Sequence, residues 1–160
     1  MSADVAKINA AAAALSEMGP DAEGVLLKAM KIQHLEKRTA VQATLILALG
    51  KHKNEKQIDF LLKLLIKDDP EISRAAVEAL GEYRESDAKL RKKIAEALVR
   101  EYVRSNNADV AAKGKDAVAS ARIRAIEVQM DKTLEMMTLQ RFNAAPDWEK
   151  WFNDNRNKNW

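Results

Sequence analysis

The sequence predicts an all-α chain folded as a short α-solenoid, a stack of antiparallel helix pairs with about nine helices. Three observations carry this expectation. Val41-Gln-Ala-Thr-Leu-Ile-Leu-Ala-Leu-Gly50 returns 31 positions later as Ile72-Ser-Arg-Ala-Ala-Val-Glu-Ala-Leu-Gly81, and a period of this length marks helical units that bury their apolar faces on one another. The 160 residues are 47% apolar and 32% charged with only 5 Gly and 3 Pro, and Ala, Leu, Lys and Glu, all strong helix formers, dominate. No stretch alternates apolar and polar residues with the period of a strand.

In chain order, an Ala-rich first helix ends at Gly19-Pro20, with Pro20 suited to the first turn of the next helix. A second helix covers about 20 to 35 and carries Val25, Leu26, Met30 and Ile32. The first copy of the template spans about 38 to 50, with Val41, Leu45, Ala48 and Leu49 on one face and Gly50 placed as a left-handed C-cap. Ile58 to Ile66 is apolar around most of its circumference, as a helix sandwiched by neighbours requires. Asp68-Asp69-Pro70-Glu71 then combines an N-cap, a Pro at the first helical position and acids in the first turn. The second template copy follows to Gly81. From about 87 to 104, Leu90, Ile94, Leu98 and Tyr102 form one stripe; Asn106-Asn107-Ala108-Asp109 is expected to break and recap the chain. Val110 to Ala119 reads as a degenerate third copy. Ile123, Ile126, Met130, Leu134 and Met137 define a helix over about 122 to 138, and a short one starts near Pro146.

The Asp-Asp-Pro turn and the run Arg74-Ala-Ala-Val-Glu-Ala-Leu-Gly81 resemble a HEAT repeat, closely over about 38 to 83 and less so from 20 to 37 and 84 to 120. The resemblance implies paired helices in which each repeat contacts only its neighbours. The ending, Thr133 to Phe142 followed by Trp148-Glu-Lys-Trp151-Phe152, resembles that of some bacterial, often exported, HEAT-repeat proteins, with Leu139 and Asn143 in place of two glycines. The expected organisation is one domain over 1–160. It comprises a capping helix over 1–19, repeats over 20–139, and a Trp-rich capping helix with a polar tail over 146–156.

Chemistry is sparsely represented. The chain has no cysteine, which excludes disulfides, thiolate metal sites and thiol catalysis. His34 and His52 are the only histidines, and their charged surroundings favour solvated positions. Phosphate loops, nucleophile elbows and metal-binding His pairs have no match, so no catalytic residue, metal or other cofactor is assigned. The net charge of +3 comes from 27 basic and 24 acidic residues, a mildly basic surface far from that of a strong nucleic-acid binder.

The expected function is therefore a non-catalytic protein-interaction scaffold or a small accessory subunit of a complex. A nucleic-acid-binding module is the alternative, and a small HEAT-like enzyme is third. The resemblance places binding on the second helices of the pairs, where the offset stacks Gln42 and Ile46 on Ser73 and Val77, with Arg74 and Glu78 adjacent and Ala111 and Lys115 continuing the row. The densest basic stretch, Arg84, Lys89, Arg91, Lys92, Lys93, Arg100 and Arg104, would serve a polyanion, although interleaved acids suit an ordinary solvated face. Trp148, Trp151 and Phe152 share one helix side, either as an aromatic anchor for a partner or as the cap that a terminal repeat needs. Capping is favoured, and Trp160 is expected to be mobile at the end of its polar tail. No apolar run is long enough to span a bilayer. The compartment stays open between cytoplasm and periplasm, the latter if a signal peptide was removed before Met1.

Overall fold

Helices alternate between two layers in the computed structural model, which describes residues 3–160 except 20, 33, 34, 36, 114 and 159, with residues 3–5 described as backbone only. One layer holds α1 (Ala3–Glu17), α3 (Thr39–Lys51), α5 (Pro70–Gly81) and α7 (Ala117–Thr138), each packed on the next. The other holds α2 (Asp21–Met30), α4 (Ile58–Leu64), α6 (Ala88–Ala111) and α8 (Ala145–Asn155). The pairs α2–α3, α4–α5 and α6–α7 pack together, and α8 lies against α6 as the next member of its layer. Two 3-10 turns, Glu55–Gln57 and Glu82–Glu85, complete the described helical structure, and none of the described residues is in a strand. Between the layers Leu26, Leu49, Leu61, Leu80, Leu98 and Ile126 are wholly buried.

Local chemistry starts these helices. The Asp69 side chain accepts from the N–H groups of Glu71 and Ile72, Asp87 from Leu90, and Asp116 from Val118 and Ala119. Each such cap contributes about 1 kcal/mol. Asp69 and Asp116 cap equivalent second helices, and Ser73 and Ser120 each donate a backbone N–H to the cap carbonyl four residues earlier.

That equivalence corrects the predicted third copy. The chain does not break at Asn106 to Asp109; α6 runs through them to Ala111, because Tyr102 and Ser105 keep the helix face in the core. Val110 to Ala119 therefore straddles a helix end, a turn and a helix start, and the third second-helix is α7. This leaves eight described α-helices where about nine were expected. It also removes Ala111 and Lys115 from the row of second helices. The second helix is shorter than predicted, ending at Met30, with Val25 and Ile32 exposed. Pro20 and His34 lie outside the described residues.

The template glycines do other work than capping. Gly50 sits inside α3, which continues to Lys51; the left-handed residue is Lys53, at φ 52°. A β-carbon on Gly50 would stand 2.7 Å from both the Cα and the Cβ of Ala79, so the glycine is where α3 and α5 touch backbone to backbone. Gly81 faces α7, where a β-carbon would meet the flexible end of Met136 at 3.0 Å. Gly50→Ala is thus expected to cost about 2 kcal/mol through overpacking, more than Ala's helix propensity returns. Gly81→Ala should stay within about 1 kcal/mol of wild type, since Met136 can move aside. Urea midpoints followed by circular dichroism distinguish the two.

A buried ionic clamp joins the last two pairs. The Arg122 guanidinium on α7 donates to Glu101 on α6 at 2.8 Å and to the carbonyls of Leu65 and Lys67 in the α4–α5 turn. The two side chains are only 12% and 5% exposed. Arg104 closes the cluster with two 2.8 Å bonds to Glu101. Burial pushes the Glu101 carboxyl up, but the hydrogen bonds and charges of Arg104 and Arg122 outweigh it and hold the group below the usual glutamate range.

Candidate functional site

The turns inside the pairs all lie at one end of the stack, because each pair is antiparallel. There a groove of about 510 Å³ opens between α2–α3 and α4–α5. Leu27 and Met30 of α2, Phe60 and Leu64 of α4, and Ile72 of α5 give it apolar walls, and Ile46 lies at its base. Thr39, Gln42, Lys31, Lys67, Asp68 and Asp69 supply its polar border. Much of that border is internally engaged. Gln42 Nε2 donates to the Met30 carbonyl at 3.1 Å, and the Thr39 hydroxyl donates to Asp69, whose other carboxylate oxygen caps α5. The rim lysines, Lys31 and Lys67, are exposed.

A smaller hollow of about 290 Å³ lies on the outer side of the other layer, between Asn9 and Ser16 of α1, Thr44, Leu47 and Lys51 of α3, Glu78 of α5 and Glu82 of the 3-10 turn that follows it. Here Leu47 and Lys51 occupy the template positions of Glu78 and Glu82.

The stacked row on the second helices does not form one open strip. Ile46 and Val77 are buried in the core, as are Gln42 and Ser73, whose hydroxyl donates to carbonyls of the α4–α5 turn, including Leu65 at 3.0 Å. Gln42 and Ile46 still reach the groove from beneath. Arg74 and Glu78 remain partly exposed, paired with each other at 3.2 Å, and Arg74 also reaches Glu71.

Sequence reasoning did not single out Phe60 or Ile72. The available signal was the segment Ile58 to Ile66, too apolar around its circumference for α4 to be covered completely. In the structure Phe60 is only partly buried and Ile66 is 61% exposed, so the helix is not sandwiched on every side.

The basic stretch is largely engaged within the chain. Lys93 pairs with Asp59 at 2.7 Å, Arg104 with Glu101, and Arg84 with Glu82 and Glu85 at 3.8 and 4.0 Å. Arg91 donates to the carbonyls of Ser86 and Trp160, and Lys92 to that of Lys158. Trp160, expected to be mobile, instead folds back. Its ring centroid lies 5.3 Å from that of Trp151 and 5.5 Å from the Lys92 ammonium, and its indole N–H donates to Asn155 at 3.0 Å. The polar tail returns because this aromatic surface and these two cations receive it.

On α8, Trp148 and Phe152 are buried and Trp151 is half-buried. The Trp148 indole N–H donates to Asp131 on α7 at 2.8 Å, and Phe142 meets its ring edge-on at 4.9 Å. Burial, with Glu127 nearby, raises the Asp131 carboxyl above the usual aspartate range despite hydrogen bonds from Trp148 and Tyr102. Leu139 adopts the left-handed conformation, φ 60°, that ends α7, so the chain takes without glycine a turn that glycine accommodates freely.

His52, expected in solvent, is half-buried, with its Nε2 enclosed and without a hydrogen-bond partner among the described residues. Among the described residues no group of three or more His, Cys, Asp or Glu could hold a metal ion. None of the described helices is long and apolar enough to cross a membrane.

A family model described as HEAT repeats matches residues 2–81 and again 32–114. Comparison with curated proteins and with solved structures gives no match.

Proposed function

Because the chain belongs to the HEAT-repeat family, whose members act in general as protein-interaction scaffolds, we propose that it is a non-catalytic scaffold or small accessory subunit that holds a partner protein on its solenoid surface. The observation that carries the reading is the open groove between the first two pairs. Its apolar walls stand on a fully packed frame, so a partner gains apolar burial without the cost of ordering the site. Among the described residues its border holds lysines, aspartates, a threonine and a glutamine.

Nucleic-acid binding is the weaker reading, because five of the seven cations of the basic stretch already have acidic or carbonyl partners in the chain. A polyanion would have to displace them before any counterion release could drive binding.

The test is affinity purification from source cells after nuclease treatment, washed at about 0.5 M salt, where exposed ion pairs are strongly screened. A defined protein recovered in fixed ratio is the expected result. In parallel, Lys92→Glu/Lys93→Glu is expected to leave partner recovery unchanged. Recovery abolished by nuclease, together with oligonucleotide binding that falls steeply with salt and is lost in the double variant, would transfer the function to nucleic acid.

A further inference from the structure

We infer that residues 156–160 are an autoinhibitory strap: they occupy a docking pad on α6 and α8 that takes, from a partner protein, an aromatic side chain with a carboxylate beside it. The pad lies apart from the groove between the first two pairs. It is shut while the strap is seated, so recovery of a groove partner does not depend on it.

The seated strap displays the chemistry that the pad selects. The Trp160 ring lies 5.3 Å from that of Trp151 and meets Phe152 edge-on at 6.2 Å, with the Lys92 ammonium 5.5 Å from its centroid. Ring-on-ring contact and a cation against a π face favour an aromatic occupant over an aliphatic one. The Arg91 guanidinium supplies the second half of the specificity. Its Nη1 donates to the Ser86 carbonyl at 3.0 Å and its Nη2 to the Trp160 carbonyl at 3.2 Å. Its Nε is enclosed and has no hydrogen-bond partner among the described residues. Nε and Nη2 project from one edge of the guanidinium plane as parallel donors, a fork that the two oxygens of a carboxylate fill together. One carbonyl oxygen fills half of it.

Charge points the same way. Among the described residues neither Arg91 nor Lys92 has a carboxylate within ion-pair distance, and the strap offers both of them neutral carbonyls. A charged acceptor is the stronger partner for a cation. The strap also brings Lys158, whose carbonyl meets Lys92, to a place that already holds two positive charges. An aromatic segment that carries a carboxylate therefore outbids the strap contact for contact. Release is local. The strap leaves α8 through one turn, in which the Asn155 carbonyl accepts from the Lys158 N–H at 2.9 Å and the Trp160 indole at 3.0 Å. Trp160 is only half-buried, whereas Trp148 and Phe152 stay buried and keep α8 seated.

The test titrates a fluorescein-labelled synthetic peptide of residues 153–160, as free acid and as amide, into the full chain and follows anisotropy. The acid form places a carboxylate beside the Trp160 ring. Trp160→Ala is expected to bind the acid peptide at least roughly tenfold tighter than wild type, because the strap competes at a millimolar effective concentration. Trp160→Leu, which keeps apolar bulk and loses only the aromatic contacts, should give the same gain. The opened chain should favour acid over amide by roughly tenfold, and adding Arg91→Lys, which keeps the charge but not the fork, should remove that preference. Circular dichroism melts confirm that each variant is folded. Absence of binding to both opened variants, equal binding to wild type, or indifference between acid and amide overturns the inference. So does a concentration-dependent dimer of wild type that Trp160→Ala abolishes in sedimentation, since the strap would then be seated on a second copy. None of these outcomes touches the scaffold reading, which stands or falls on partner recovery by the strapped wild-type chain.

Discussion

Trp148→Ala is expected to lower stability by about 4 kcal/mol, enough to leave a large fraction of the chain unfolded at elevated temperature. The indole is the largest wholly buried side chain, and it joins three elements. It fills the space between α6 and α8, meets Phe142 and Trp151 edge-on at 4.9 and 6.4 Å, and donates to Asp131 of α7. Truncation opens a cavity and leaves the half-buried Asp131 carboxylate with Tyr102 but without the indole donor, so the packing and hydrogen-bond losses add. Trp151→Ala should cost less, about 1–2 kcal/mol, because half-buried Trp151 has less area to lose. Spacing alone places the three aromatics on one helix side and does not rank them. Thermal melts of the two variants, compared with wild type, decide the order; equal shifts would show that α8 does not seat Trp148 as described.

Glu101→Gln is expected to cost about 3 kcal/mol at neutral pH, because it leaves the Arg122 guanidinium buried with carbonyl partners but no counter-charge. Losing the clamp should loosen the α4–α5 turn from α6 and α7, since those carbonyls belong to the turn. The effect has a pH signature. The Glu101 carboxyl is held below its ordinary value in the fold, so its contribution is complete above the unfolded glutamate value near ~4.3 and is lost as pH falls through the folded value. The gap between wild type and Glu101→Gln should therefore narrow below about pH 4. Urea midpoints of both proteins at pH 7 and pH 3.5 provide the measurement. A gap independent of pH would mean that the clamp acts through shape and not charge.

Both residues show where a one-dimensional pattern stops. Trp148 was legible as an apolar helix position because i, i+3, i+4 spacing is set by helix geometry alone. Which of the three aromatics is deepest depends on where α6 and Asp131 lie. Glu101 appeared in the sequence only as one acid among the cations of a basic stretch. Its partner Arg122 is 21 residues away, and no local rule links the two. The groove was equally hidden: Phe60 and Ile72 become one surface only once α2–α3 and α4–α5 stand side by side.

By itself the sequence determined the helical class, the stacking of pairs, the start of α5 at Asp69-Pro70 and the core faces of α3, α6 and α7, because caps and 3.6-residue periodicity are short-range properties of a single helix. The tertiary structure decided the rest. It carried α6 through Asn106, turned Gly50 from a cap into a contact with Ala79, buried Ile46 and Val77, and brought Trp160 back onto Lys92. These outcomes depend on which surface lies opposite each residue. A neighbouring layer can outweigh a local signal of about 1 kcal/mol by burying several apolar side chains at once.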